Sequence, residues 1–129
     1  MSEKSKDRIK ANGEVFTPSW LVEEMLGKLP EDAWEPNKTF LEPAAGDGNF
    51  VVEIIKEKVS RGHDPYKALQ TTYAVELMPD NVVKMKWRAI EAAGLNVDDE
   101  AAREIVDRNI QQGNFLEIED FEEFFQCLI

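Results

Sequence analysis

The stretch Leu41-Glu42-Pro43-Ala44-Ala45-Gly46-Asp47-Gly48-Asn49-Phe50 reads as a strand ending in an acid, a tight glycine turn and the start of a helix. Upstream, Thr39, Phe40 and Leu41 form a short β-prone run after the breakers Pro36 and Asn37. Downstream, Phe50, Val51, Ile54, Ile55 and Val59 recur at helical spacing through Ser60. Gly46 and Gly48 permit backbone conformations that bulkier residues resist. They also let a ligand approach the chain next to the free N–H groups of the helix start. Ligands of open α/β sheets bind at this end of the strands. On these residues alone an ordinary βα turn fits as well.

The rest of the chain favours a ligand site. Tyr73-Ala74-Val75-Glu76 is a second strand ending in an acid. It follows the first at about thirty residues, the distance at which βαβ nucleotide folds place a carboxylate on ribose hydroxyls. The dinucleotide pattern G-x-G-x-x-G is absent, which weakens a nicotinamide-type reading. Asp80 is expected to cap a helix from Asn81 to Ala93, with Val83, Trp87 and Ile90 inward and Gly94 as the stop. Asp98 or Asp99 opens another helix through Ala102, Ile105 and Val106, before a third strand around Asn109 to Gln112. After the acidic loop Glu117 to Glu123, the run Phe124 to Ile129 reads as a fourth strand. Alternating strands and helices predict a parallel, doubly wound α/β sheet. Gly27 to Asn37 is a connector, Trp20 and Trp87 are expected in the core, and Trp34, taken as exposed, is left open.

Composition bounds the function. With 129 residues and 43% hydrophobic content the chain supports one small core. A net charge of −11 argues against this chain alone gripping a phosphate backbone, which needs clustered Lys and Arg. The local basic groups, Lys4, Lys6, Arg8 and Lys10 in the N-terminal arm and Lys84, Lys86 and Arg88 on a helix, read as a solvated tail and a solvated face. No apolar run approaches the about twenty residues of a membrane span, and Met1 to Ala11 is too polar for a secretory signal, so a cytoplasmic protein is expected. Cys127 stands alone and reads as a buried thiol; His63 reads as a loop histidine. No Cys/His cluster suits zinc. Asp64-Pro65-Tyr66 reads as a turn and helix cap.

The chain resembles the S-adenosylmethionine-dependent adenine-N6 DNA methyltransferases in which the cofactor motifs precede the catalytic one. Gly13-Glu14-Val15-Phe16-Thr17-Pro18, before a helix-like segment from Trp20 to Leu26, looks like the N-terminal motif that contacts the methionine carboxylate. Glu42-Pro43-Ala44-Ala45-Gly46-Asp47-Gly48-Asn49-Phe50 looks like the main cofactor loop. Ala74-Val75-Glu76-Leu77-Met78-Pro79 looks like the ribose motif, with Glu76 on the hydroxyls and Leu77 or Met78 against the adenine. Gly113-Asn114-Phe115-Leu116 resembles the motif that holds the adenine amino group, with Asn114 where Asp is commoner and Phe115 packed on the ring. The chemistry agrees: Thr17 and loop N–H groups can donate to the ligand's carboxylate. Glu42, carbonyls and Asp47 can accept from its ammonium, and Glu76 can accept two ribose hydrogen bonds.

The resemblance implies a Rossmann-like class I methyltransferase fold with strand order 3-2-1-4 and flanking helices. It covers 13–129, after a polar arm at 1–12. It also implies a catalytic Asn/Asp-Pro-Pro-aromatic loop after the fourth strand, and no such tetrapeptide occurs in the 129 residues. The chain is therefore expected to be the cofactor-binding part of such an enzyme, as a fragment or as a short gene product. No catalytic residue or metal ligand is assigned to it. DNA contacts would come from a recognition domain or a partner chain. The alternative is a regulatory adenosylmethionine-binding subunit that pairs through the edge of the fourth strand.

Overall fold

The computed structural model describes residues 18–42, 46 and 48–125. The expectations for the N-terminal arm, Phe16, Thr17, Pro43, Ala44, Asp47 and Cys127 lie outside them. Helix α1 (Ser19–Leu26) starts behind Pro18, whose carbonyl accepts from the N–H groups of Leu21 and Val22. Strand β1 (Phe40–Glu42) leads to helix α2 (Asn49–Ser60), a short helix α3 (Pro65–Gln70) and strand β2 (Thr72–Glu76). Helices α4 (Pro79–Ala92) and α5 (Glu100–Asn109) precede strand β3 (Ile110–Gln112), and helix α6 (Phe121–Phe125) follows.

The chain is an α/β structure built on a three-stranded parallel sheet in the order β1-β2-β3. Phe40 pairs with Thr72 and Glu42 with Ala74; Ala74 pairs with Ile110 and Glu76 with Gln112. Because sequential strands are neighbours, right-handed crossovers put the intervening helices on one face. The core on that face joins Val51, Ile55, Leu69, Met85, Ile90 and Val106 to Ala74 and Ile110 of the sheet. β2 is buried along its whole length, as a central parallel strand requires. On the other face, Tyr73 and Val75 pack with Phe125.

Several sequence expectations need correction. Phe124 and Phe125 belong to α6 and not to a fourth strand; residues 126–129 lie outside the described set. Asp120 explains the change, since its carboxylate accepts from the Glu123 N–H at 3.1 Å and its carbonyl from Phe124 N–H at 3.0 Å, an N-cap arrangement. The helix brings Phe125 edge-on to Tyr73, ring centroids 5.0 Å apart. The order 3-2-1 is thus present among the described residues, and the strand that would lie beyond β1 is not.

Asp80 sits inside the first turn of α4, and Met78 is the cap, because Pro79 takes the first helical position. The buried stripe of α4 is Asn81, Val82, Met85, Ala89 and Ile90, while Val83 and Trp87 face solvent. Trp20 is likewise 66% exposed. Trp34 reverses the other expectation and is buried at the end of a 3-10 turn, Glu31–Trp34, inside the connector. Its ring packs on Phe40 and lies under the Arg61 guanidinium, and its carbonyl accepts from His63 Nε2 at 2.7 Å. His63 is therefore a buried anchor for the connector.

Two predicted caps are present. Asp64 accepts from Lys67 N–H at the start of α3, and Asp99 accepts from Ala102 N–H at the start of α5. Tyr66 also donates to Asp99, which holds that carboxyl below its usual range. Asn109 closes the α3–β2 corner by donating to the carbonyls of Leu69 and Gln70.

Lys58 is fully buried at the amino end of the sheet. Its Nζ donates to Thr71 O, Thr71 Oγ1 and Thr72 Oγ1 at 3.0, 2.7 and 2.9 Å and lies 4.7 Å from the Phe40 ring centroid. Both hydroxyls spend their own protons on helix carbonyls, so they can only accept from the ammonium. Those contacts favour the charged form, but burial outweighs them and pushes the ammonium down to about 7. An unfolded lysine keeps its proton up to about 10.5, so stability rises with pH between about 7 and 10.5 by a few kcal/mol at most, in order of magnitude. Lys58→Met removes the buried charge at similar volume and is expected to be more stable than wild type at pH 6.5, the gap narrowing by pH 9.5. Denaturant midpoints of the two proteins at both pH values check this, and parallel profiles would refute it.

Candidate functional site

The carboxyl ends of the strands, Glu42, Glu76 and Gln112, form one edge of the sheet, and the loops that leave them carry most of the predicted site residues. The glycine turn needs its glycines. Gly46 has φ 58° and Gly48 has φ 100°, and a Cβ on Gly48 would stand 2.8 Å from Met85 Cγ. Helix α4 therefore packs directly against the start of α2 through a position with room for no side chain.

Glu76 holds this edge together. Its carboxylate, 5% exposed, accepts from Gly46 N–H at 3.0 Å through Oε1. Through Oε2 it accepts from Met78 N–H at 3.0 Å and from Asn81 Nδ2 at 2.9 Å. Its backbone carbonyl accepts from Gly113 N–H at 3.0 Å. One residue thus ties the glycine turn, the β2–α4 loop and the loop after β3. A carboxylate loses much hydration on burial, and these charge-assisted bonds replace it.

A carboxylate offers about four lone-pair directions. Among the described residues Oε2 receives two donors and Oε1 one, which leaves Oε1 capacity for a further hydroxyl. Leu77, next along the chain, is 46% exposed, and Phe115, in the segment after β3, is 36% exposed. Two ribose hydroxyls on Glu76 would have to share Oε1 or displace the Gly46 N–H.

Some predicted residues are already engaged in local structure or lie away from this edge. Asn114 Oδ1 accepts from Leu116 N–H at 3.0 Å and caps a 3-10 turn, Phe115–Glu117, so one of its lone pairs is spent. Asn49 Oδ1 accepts from Arg88 Nη1 at 3.0 Å and links α2 to α4. Phe50 is half-buried on α2, and Pro18 is exposed at the start of α1. Glu42, Gly46, Gly48, Glu76, Leu77, Met78, Asn114 and Phe115 lie at or next to the strand ends. Asn81 was not among the predicted site residues. Its signal is a polar residue on the buried stripe of an amphipathic helix, five positions after the strand-end acid.

Clefts of about 270 Å³ at Glu23, Trp34, Glu53 and Arg61 and of about 280 Å³ at Val83, Trp87, Arg103 and Asp107 lie elsewhere, and neither is lined by Glu76. Among the described residues no group of His, Cys, Asp or Glu is arranged to hold a metal ion, and no helix is long and apolar enough to cross a membrane. Comparison with protein-family models, curated proteins and solved structures returns no match.

Proposed function

We propose that this chain is the S-adenosylmethionine-binding part of an adenine-N6 DNA methyltransferase. The observation that carries the reading is the buried Glu76 carboxylate at the carboxyl end of a central parallel strand, bonded to the glycine turn through Gly46. The motif order from Gly13 to Leu116 supports it. In this reading Oε1 of Glu76 accepts from the ribose, Leu77 and Met78 line the adenine, and Phe115 packs near the ring. Thr17 and the loop N–H groups bind the methionine carboxylate, and Glu42 accepts from the ammonium.

The bound cofactor supplies an electrophilic methyl group on a sulfonium, which the adenine N6 of DNA attacks in line. The residues of this chain bind and orient, the contribution that positioning makes to such transfers. The Asn/Asp-Pro-Pro-aromatic tetrapeptide is not among these residues, so the reading assigns no catalytic residue here. A regulatory adenosylmethionine-binding subunit that pairs with a catalytic chain would use the same site.

Competition tests the ligand class. Tritiated adenosylmethionine retained by the chain is expected to be displaced by micromolar adenosylhomocysteine, and not by NAD at tenfold higher concentration, on the scale of about 1.4 kcal/mol per factor of ten. Equal displacement by adenosine, NAD and adenosylhomocysteine would contradict the assignment.

A further inference from the structure

Asn81 is fully buried in the first turn of α4, on a stripe where an apolar residue would pack against Val82 and Met85 without a polar penalty. A buried amide is tolerated when it is hydrogen-bonded. Its Nδ2 donates to Glu76 Oε2 at 2.9 Å. Met78 N–H reaches the same oxygen at 3.0 Å. The terminal torsion of a glutamate is broad, and Asn81 narrows it further by adding a second, side-chain donor on Oε2 to the backbone donors Met78 N–H and Gly46 N–H. Two donors from the same helix start fix Oε2 towards α4. Oε1 is then left towards the glycine turn, where Gly46 N–H reaches it at 3.0 Å.

We propose that Asn81 is a positioning residue for ligand recognition: it orients the Glu76 carboxylate so that Oε1 is presented to the ribose diol of an adenosine-type ligand. The inference rests on the cofactor reading above and adds to it the residue that sets diol selectivity. Asn81 acts through Glu76 and does not itself touch the ligand. An amide suits this task because it donates to the carboxylate without neutralising it.

The test is the preference for adenosylhomocysteine over its 2′,3′-dideoxy counterpart, measured by titration calorimetry. Hydrogen bonds to a charged acceptor are the stronger kind, so wild type is expected to prefer the diol by about tenfold or more. In Asn81→Leu that preference is expected to fall to about threefold or less, with the dideoxy affinity unchanged. A packing defect would weaken both ligands together and leave the ratio intact. Where Asn81→Leu fails to fold, Asn81→Ser serves, its hydroxyl being too short to reach Oε2.

A second readout needs no ligand: amide hydrogen exchange of Gly46 and Met78 is expected to speed up in the variant as the carboxylate loosens. An unchanged diol preference in a folded variant would overturn the inference, as would a wild type that binds both ligands equally. A wild type that binds neither ligand, with faster amide exchange in the variant, would place the failure in the cofactor reading and leave Asn81 as an orienter of Glu76 alone.

Discussion

Glu76→Ala is expected to lower affinity for adenosylmethionine by at least about a hundredfold and to destabilise the fold by roughly 2–4 kcal/mol. The two effects have separate origins. Removing the carboxylate strips a ligand of an acceptor for its ribose hydroxyls, and hydrogen bonds to charged groups carry about 1.5–3 kcal/mol each. It also leaves Gly46 N–H, Met78 N–H and Asn81 Nδ2 without their common acceptor in a buried setting. Glu76→Gln keeps the volume and one oxygen but turns an N–H group towards one set of donors. It is expected to fold better than the alanine variant and still to bind poorly. Calorimetry with adenosylhomocysteine and chemical denaturation separate the two effects. A Glu76→Ala protein with wild-type affinity would remove Glu76 from the site.

Gly48→Val is expected to cost about as much stability through a different mechanism. At φ 100° an L side chain is strained, by about 1–2 kcal/mol for a left-handed backbone. A Cβ there would also meet Met85 Cγ at 2.8 Å. Overpacking of that kind costs about 1–3 kcal/mol, so a total of roughly 2–5 kcal/mol is expected against the typical 5–15 kcal/mol of a domain. Gly48→Ala should lose less than valine. Combining it with Met85→Ala should recover part of the overpacking and none of the strain, giving a coupling energy of about 1 kcal/mol or more in a double-mutant cycle. Strictly additive losses would mean that α4 does not pack on the glycine turn as described.

The sheet was legible because each strand is short and ends at an acid or next to a glycine. Phe40–Glu42, Thr72–Glu76 and Ile110–Gln112 each lie within a residue of the segments expected from sequence. Helices α2, α3 and α5 were equally legible, from caps at Asp64 and Asp99 and from apolar spacing after Gly48. Helix facing was not. In α4 the sets Val83, Trp87, Ile90 and Val82, Met85, Ala89 are both helical stripes, rotated about 130° from each other at about 100° per residue, and periodicity cannot choose between them. The sheet chose, burying Met85 against Gly48 and sending Trp87 to solvent.

Trp34 was obscured because its burial depends on distant partners, Phe40, Arg61 and His63, that no local pattern announces. The aromatic pair Phe124 and Phe125 looked β-prone, and the cap at Asp120 decided for helix. In the candidate site the acid at the strand end and the glycine turn were readable. Their mutual hydrogen bond was not, because it joins residues 30 positions apart. Asn81 escaped for the same reason: its role exists only once Glu76 is placed beside it.

The most direct test of the central claim is calorimetric titration of the purified chain with adenosylhomocysteine, beside Glu76→Ala under the same conditions. The account predicts single-site binding at micromolar concentration that disappears in the variant. Binding that survives in Glu76→Ala, or no heat of binding from the folded wild-type chain, would contradict it.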